Sequence, residues 1–199
     1  EFANRIVQMT NVAKSDAVKE VDESIERIYT YAAHADKFDG LVHHTVQRNV
    51  TLAMPEALGV MGIVCPNESP LLGFISTVIP AISMGNNVVV IPSETAPFSA
   101  TDFYQILDTS DVPAGVVNIL TGSHADLAKP VSTHMDIDAV WCFSSTDISK
   151  LVESSAAFNL KRTWVNYGRE KNWQKNDDFQ SFLSAATETK TIWIPFGEG

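Results

Sequence analysis

The chain is poor in the residues that announce chemistry. Its 199 residues include two cysteines, Cys65 and Cys142, too few and too isolated for a disulfide framework or a zinc cluster. Such sparse thiols fit a reducing, cytoplasmic compartment. Cationic side chains are scarce too: 14 Lys and Arg face 24 Asp and Glu, a formal net charge of −10. That balance excludes a nucleic-acid or anionic-membrane surface, since both select for Lys and Arg. Among the five histidines, His43 and His44 are adjacent, but neighbours in a strand point to opposite faces, so no metal site is expected there. The longest apolar stretch, residues 71–84, is broken by Gly73, Ser76, Thr77, Pro80 and Ser83. It is shorter than the roughly 20 residues that span a bilayer and reads as a buried helix. The opening Glu1-Phe2-Ala3-Asn4-Arg5 lacks the basic-then-apolar order of a secretory signal. No G-x-G-x-x-G occurs, so the usual dinucleotide fingerprint is missing.

What is present is a regular alternation. Residues 15–38 place Val18, Val21, Ile25, Ile28 and Ala32 at spacings of three and four, which predicts one apolar helical face. Ser15 is a candidate N-cap, and Gly40 a candidate left-handed C-cap. A strand is expected over residues 46–52, with Val46, Val50 and Leu52 on one face. Five β-rich runs follow, at residues 60–65, 87–91, 116–120, 139–143 and 162–166. Helical segments at 71–84, 99–108, 125–134 and 146–158 separate them. Alternation of this kind predicts right-handed βαβ crossovers and a doubly wound α/β domain with a five-stranded parallel sheet. Runs such as Val88-Val89-Val90-Ile91 are apolar throughout, as strands covered on both faces should be. Residues 169–178 turn polar and read as a linker or surface loop. A short helix near 179–185 and a strand over 189–196 end the chain. In that strand Ile192, Ile194 and Phe196 share one face.

Several blocks between these elements are specific. Gly59-Val60-Met61-Gly62-Ile63-Val64-Cys65-Pro66-Asn67 resembles the first cofactor-domain strand and turn of the aldehyde dehydrogenases. Val88-Val89-Val90-Ile91-Pro92-Ser93-Glu94-Thr95-Ala96-Pro97 is similar to their second strand, and Val112-Pro113-Ala114-Gly115-Val116-Val117-Asn118 to their third. Phe143-Ser144-Ser145-Thr146 and Ala186-Thr187-Glu188-Thr189-Lys190-Thr191-Ile192-Trp193 continue the resemblance to the final strand. It implies a Rossmann-like cofactor domain over residues 1–168, with 46–54 contributing to a β arm. It also implies a linker at 169–178 and an oligomerisation strand within 179–199.

The departures from that family carry the functional expectation. The Asn that donates to the developing oxyanion corresponds to Glu68, whose carboxylate would repel the charge it should stabilise. The Lys that contacts the adenosine ribose corresponds to Ile91, which has no donor. A Thr-Gly-Ser-Thr block stands as Phe143-Ser144-Ser145-Thr146, with serine where the backbone should approach phosphate closely. The general-base Glu corresponds to Asn166, and an amide takes no proton from water near neutral pH. Only the interval 169–178 lies where the family carries its domain with the nucleophilic cysteine, which is too short for a domain. This combination resembles the second, degenerate unit of the two-unit proteins called family sixteen.

A catalytically inactive module is therefore expected, serving oligomerisation and contacts within a longer protein. Val50, Leu52, Ile192, Trp193 and Ile194 would form the interface with another copy or another aldehyde-dehydrogenase-like domain. No cofactor is the first expectation. Retained NAD binding through Ser93, Glu94 and Ser145 is the alternative, as is a fragment of an active dehydrogenase completed by another domain. Cys65 and Cys142 read as small core residues.

Overall fold

The computed structural model describes residues 1–196. Helices α1 (Phe2–Thr10) and α2 (Lys14–His34) lead into strands β1 (Leu41–His43) and β2 (Asn49–Ala57). An alternating body follows: β3 (Val60–Val64), α3 (Pro70–Ser83), β4 (Asn87–Ile91), α4 (Phe98–Asp102), α5 (Tyr104–Thr109), β5 (Val117–Ile119), α6 (His124–Thr133), β6 (Ala139–Cys142), α7 (Thr146–Ala156) and β7 (Arg162–Val165). Helix α8 (Phe179–Ala185) and strand β8 (Thr187–Pro195) complete it. The body strands form one parallel sheet in the order β5-β4-β3-β6-β7. That is the expected doubly wound α/β architecture, with its strand order reversing direction about β3.

Side chains alternate between two cores, which explains why the strands read as continuous apolar runs. Met61, Ile63, Val88, Val90, Ala139 and Trp141 face a large core shared with α1, α2, α3 and α8. Val64, Ile91, Val140 and Cys142 face a smaller one under α6 and α7. At the entry to the sheet Gly59 adopts φ +122°, and a Cβ there would lie 2.3 Å from Asp138 Oδ2. The same carboxylate oxygen accepts a hydrogen bond from Val60 N at 2.8 Å. Only glycine leaves room for that tie between β3 and the start of β6.

Helix α2 departs from the sequence expectation. Its buried residues are Ala17, Ser24, Arg27 and Tyr31; Val18 and Ile25 are 41% and 46% exposed, and Ala32 is exposed. The stripe is rotated because its polar members find partners: the Ser24 hydroxyl donates to Glu20 O at 2.7 Å. Arg27 donates to Ser76 Oγ at 2.7 Å, Trp173 O at 2.8 Å and Lys175 O at 3.1 Å. A buried guanidinium satisfied in this way outcompetes an aliphatic side chain for the inward position. The helix caps also differ. Ser15 lies inside α2, Ala13 precedes it, and the C-cap is Ala35 rather than Gly40. The helix expected over 99–108 breaks at Phe103 into α4 and α5.

Glu20 supplies a cap that no local reading would find. Ser69, the N-cap residue of α3, is left-handed and makes no side-chain cap bond. Glu20 Oε1, reaching across from α2, instead accepts from Leu71 N at 2.9 Å and Leu72 N at 3.1 Å. Burial raises the carboxyl above its ordinary value, outweighing those two amide bonds. A raised folded-state value means stability present at low pH and lost as pH rises through it. Glu20→Gln keeps the acceptor and removes the charge. Its melting temperature should equal or exceed the parent's at pH 7, and the difference should shrink below pH 4.5, the unperturbed value. Thermal melts at the two pH values measure this; a variant weaker at pH 7 than in acid, relative to the parent, contradicts it.

A separate three-stranded antiparallel sheet, ordered β1-β2-β8, forms the arm. Its register pairs Val50 with Ile194, Thr51 with Trp193 and Leu52 with Ile192, and Val42 with Leu52. Val46 lies in the preceding loop, fully exposed, because β2 begins at Asn49. Strand β1 escaped the sequence reading: three residues carry too little alternation to register.

Candidate functional site

In open parallel sheets ligands bind beyond the carboxyl ends of the strands, where the strand order reverses. Here that edge carries a cleft of about 670 Å³. Every body strand contributes to its wall. Asn67 and Glu68 follow β3, Glu94 follows β4, and His124 and Ala125 follow β5. Phe143, Ser144 and Ser145 follow β6, and Asn166 with the segment from Gly168 to Asn172 follows β7.

The side chains nearest a dinucleotide's expected path are already engaged. Ser93 is fully buried; its hydroxyl faces Asn67 Oδ1 at 3.2 Å and accepts from Ala96 N at 3.1 Å. It braces the turn instead of lining the cleft. Glu94 accepts from Asn67 Nδ2 at 3.4 Å through one oxygen and from His124 N at 2.7 Å through the other. The second contact places a carboxylate at the positive end of α6, where it is favoured. Ser145 caps α7 by accepting from Ile148 N at 3.4 Å, and Ile91 is fully buried in the smaller core. The first-turn amides of α7 could receive a phosphate, but Ser93 and Glu94, the groups expected at the ribose, already hold protein hydrogen bonds, and Ile91 offers no donor beside them. These residues fit a dinucleotide poorly.

Glu68 and Asn166 both line the cleft, and each is hydrogen-bonded to the protein. Glu68 Oε1 accepts from Trp173 Nε1 at 3.1 Å. Asn166 closes a local turn: Gly168 N donates to Oδ1 at 3.1 Å, and Nδ2 donates to Arg169 O at 3.2 Å. Cys65 and Cys142 are fully buried. Burial pushes the Cys65 thiol up to about 12 and Cys142 up to about 11. The thiolate is the reactive form, so neither sulfur is a nucleophile at neutral pH. Among the described residues no group of three or more His, Cys, Asp or Glu could hold a metal ion.

Two features of the site escaped the sequence reading. Residues 169–178 look polar, yet Trp173 in their middle is 1% exposed. It meets Phe143 at 5.3 Å and Phe182 at 6.4 Å between ring centroids, within a cluster that includes Trp141 and Trp164. One tryptophan among nine polar or charged neighbours was the available signal. The second is His124, 1% exposed. Its Nδ1 lies 2.9 Å from Ser144 Oγ, and its Nε2 lies 3.0 Å from Pro92 O. Twenty residues separate the pair, so no local motif marks it.

Comparison with known proteins places this geometry. The profile of the aldehyde dehydrogenase family matches residues 1–178. An aldehyde dehydrogenase of Agaricus bisporus is 36% identical over 146 residues, covering 73% of this chain and 29% of its own length. The cytosolic aldehyde dehydrogenase 1 of Mus musculus is 35% identical over 150 residues, covering 75% and 30%. The chain thus spans under a third of the length of these relatives. Among solved structures, apo indole-3-acetaldehyde dehydrogenase superimposes with a TM-score of 0.80 at 30% identity, covering 84% of this chain and 39% of that one. Lactaldehyde dehydrogenase from Escherichia coli matches with a TM-score of 0.79 at 24% identity, over 82% and 35%; at that identity the likeness is one of fold.

Proposed function

The chain belongs to the aldehyde dehydrogenase family, and from that premise we propose that it is a unit inactive toward aldehydes whose work is assembly within a longer protein of that family. The observation that carries the reading is chemical: both cysteines of the sequence are fully buried with raised pKa values. Covalent aldehyde chemistry begins with a thiolate attacking a carbonyl, and neither buried thiol supplies one. Asn166, bound at both ends of its amide, leaves a base wanting at the corresponding place. The degenerate second unit of the two-unit family-sixteen proteins is the subfamily these departures suit best.

The arm supplies the assembly side of the proposal. Val42, Val50, Leu52, Met54, Ile192 and Ile194 share one face of its sheet by register. Val42, Met54 and Ile194 are 75%, 41% and 49% exposed. An apolar sheet face beside an open strand edge favours association. The occupant we assign is the corresponding edge of another aldehyde-dehydrogenase-like unit, in a second copy or elsewhere in the parent protein. The outer side of α2, with Val18, Ile25 and Tyr29 exposed, offers a further contact surface.

One set of measurements tests the inactivity. Folded chain treated with iodoacetamide at neutral pH should show no alkylated cysteine by intact mass, and alkylation at both after denaturation. The same preparation, given acetaldehyde and NAD, should form no NADH above the protein-free rate. Turnover, or rapid native alkylation of Cys65, would reject the assignment.

A further inference from the structure

The cleft contains a constellation that aldehyde oxidation does not use. A carbonyl oxygen only accepts hydrogen bonds, so the 3.0 Å contact with Pro92 O places the imidazole proton of His124 on Nε2. Nδ1 is then the acceptor, and the Ser144 hydroxyl, 2.9 Å away, donates to it. A hydroxyl bonded to a base that a third group orients is the arrangement of an activated nucleophile. The ring is 1% exposed, and packing holds it in that orientation. Ser144, half-buried, lies on the cleft wall. The first-turn amides of α7, at Thr146 and Asp147, follow closely in the chain and lack intrahelical acceptors. Donors of that kind stabilise a developing oxyanion.

We propose that Ser144 is an acyl-accepting nucleophile with His124 as its base, and that the cleft hydrolyses short uncharged esters. The lining selects the class. Glu68, Glu94 and Glu170 stand on the wall beside Arg169 and Lys171, so neither sign of charge is favoured and an uncharged substrate fits, while Phe143 and Ile148 give an apolar wall for a short acyl group. Ser144 Oγ bonds the ester carbonyl carbon as its proton passes to Nδ1. The carbon–alkoxide bond breaks, and Nδ1 returns the proton to the departing alcohol. Water then attacks the acyl-serine, losing a proton to Nδ1, and the acid leaves as Ser144 regains its proton. Ester and water become acid and alcohol with no oxidant. The inference stands apart from the preceding one, because this pair oxidises nothing.

The test is covalent labelling of the purified chain with a fluorophosphonate, whose fluoride an activated serine oxygen displaces. Intact mass and peptide mapping should find one adduct, on Ser144. Ser144→Ala, which keeps the histidine and its bond to Pro92, should abolish it while the chain still unfolds in one cooperative transition. His124→Gln should slow labelling about a hundredfold, the low end for general-base assistance, and hydrolysis of p-nitrophenyl acetate should fall in parallel. Should the glutamine variant fail to fold, the parent must still label at Ser144 alone, leaving exposed Ser145 and Ser154 unmodified. An unlabelled Ser144 overturns the proposal. So does an adduct that survives Ser144→Ala, an undiminished rate in folded His124→Gln, or equal labelling of Ser145 or Ser154.

Discussion

Trp173→Ala should lower the melting temperature by roughly 6–20 °C, the product of a core-tryptophan loss of about 3–5 kcal/mol and about 2–4 °C per kcal/mol at this size. The reasoning starts from packing. Trp173 is 1% exposed and contacts Phe143 and Phe182, so truncation leaves a void that a rigid aromatic cluster cannot fill. Its backbone carbonyl also accepts from buried Arg27, and distortion there would weaken the tie between α2 and this segment. Trp173→Phe should restore part of the loss, since it keeps a ring in the cluster but gives up the indole bond to exposed Glu68 and the volume of the second ring. A surface linker behaves differently: exposed substitutions usually change stability by within about 0.5 kcal/mol. Differential scanning calorimetry distinguishes the two, and an alanine variant melting with the parent would return residues 169–178 to the status of a tether.

The second large effect concerns mass. If the arm's apolar face is an interface, the 21.8 kDa chain should scatter light as a dimer or larger at micromolar concentration. Val50→Lys with Ile194→Lys should then reduce it to the monomer. The two residues are directly paired across β2 and β8, so both charges enter one patch. Losing two central contacts at about 2 kcal/mol each weakens association roughly a thousandfold. Stability should change little, because Val50 and Ile194 are 38% and 49% exposed in the isolated chain. A monomeric parent, or a doubly charged variant of unchanged mass, would remove self-association through the arm from the account.

The blocks that resemble the family's strands and turns were legible because their causes are local. Residues 88–91 are apolar on both faces, and the structure finds β4 over Asn87–Ile91. Residues 179–185 likewise hold α8 as expected. The polar interior was less legible. Ser24 and Arg27 look like surface residues of an amphipathic helix until Glu20 O, Ser76 and two distant carbonyls are placed around them. Trp173 in a charged stretch signals by its size that it is buried, but not that Phe143 and Phe182 receive it.

Sequence alone determined the strand-and-helix alternation and the parallel sheet, since each rests on residue type and short-range periodicity; the departures at Glu68, Ile91 and Asn166 were set by residue type against the family it resembles. Tertiary structure decided which face of α2 is buried, that Glu20 caps α3 from another helix, and that His124 meets Ser144. Those outcomes depend on hydrogen bonds and packing between residues that only the folded chain brings together, and no spacing along the sequence encodes a partner 20, 51 or 146 positions away.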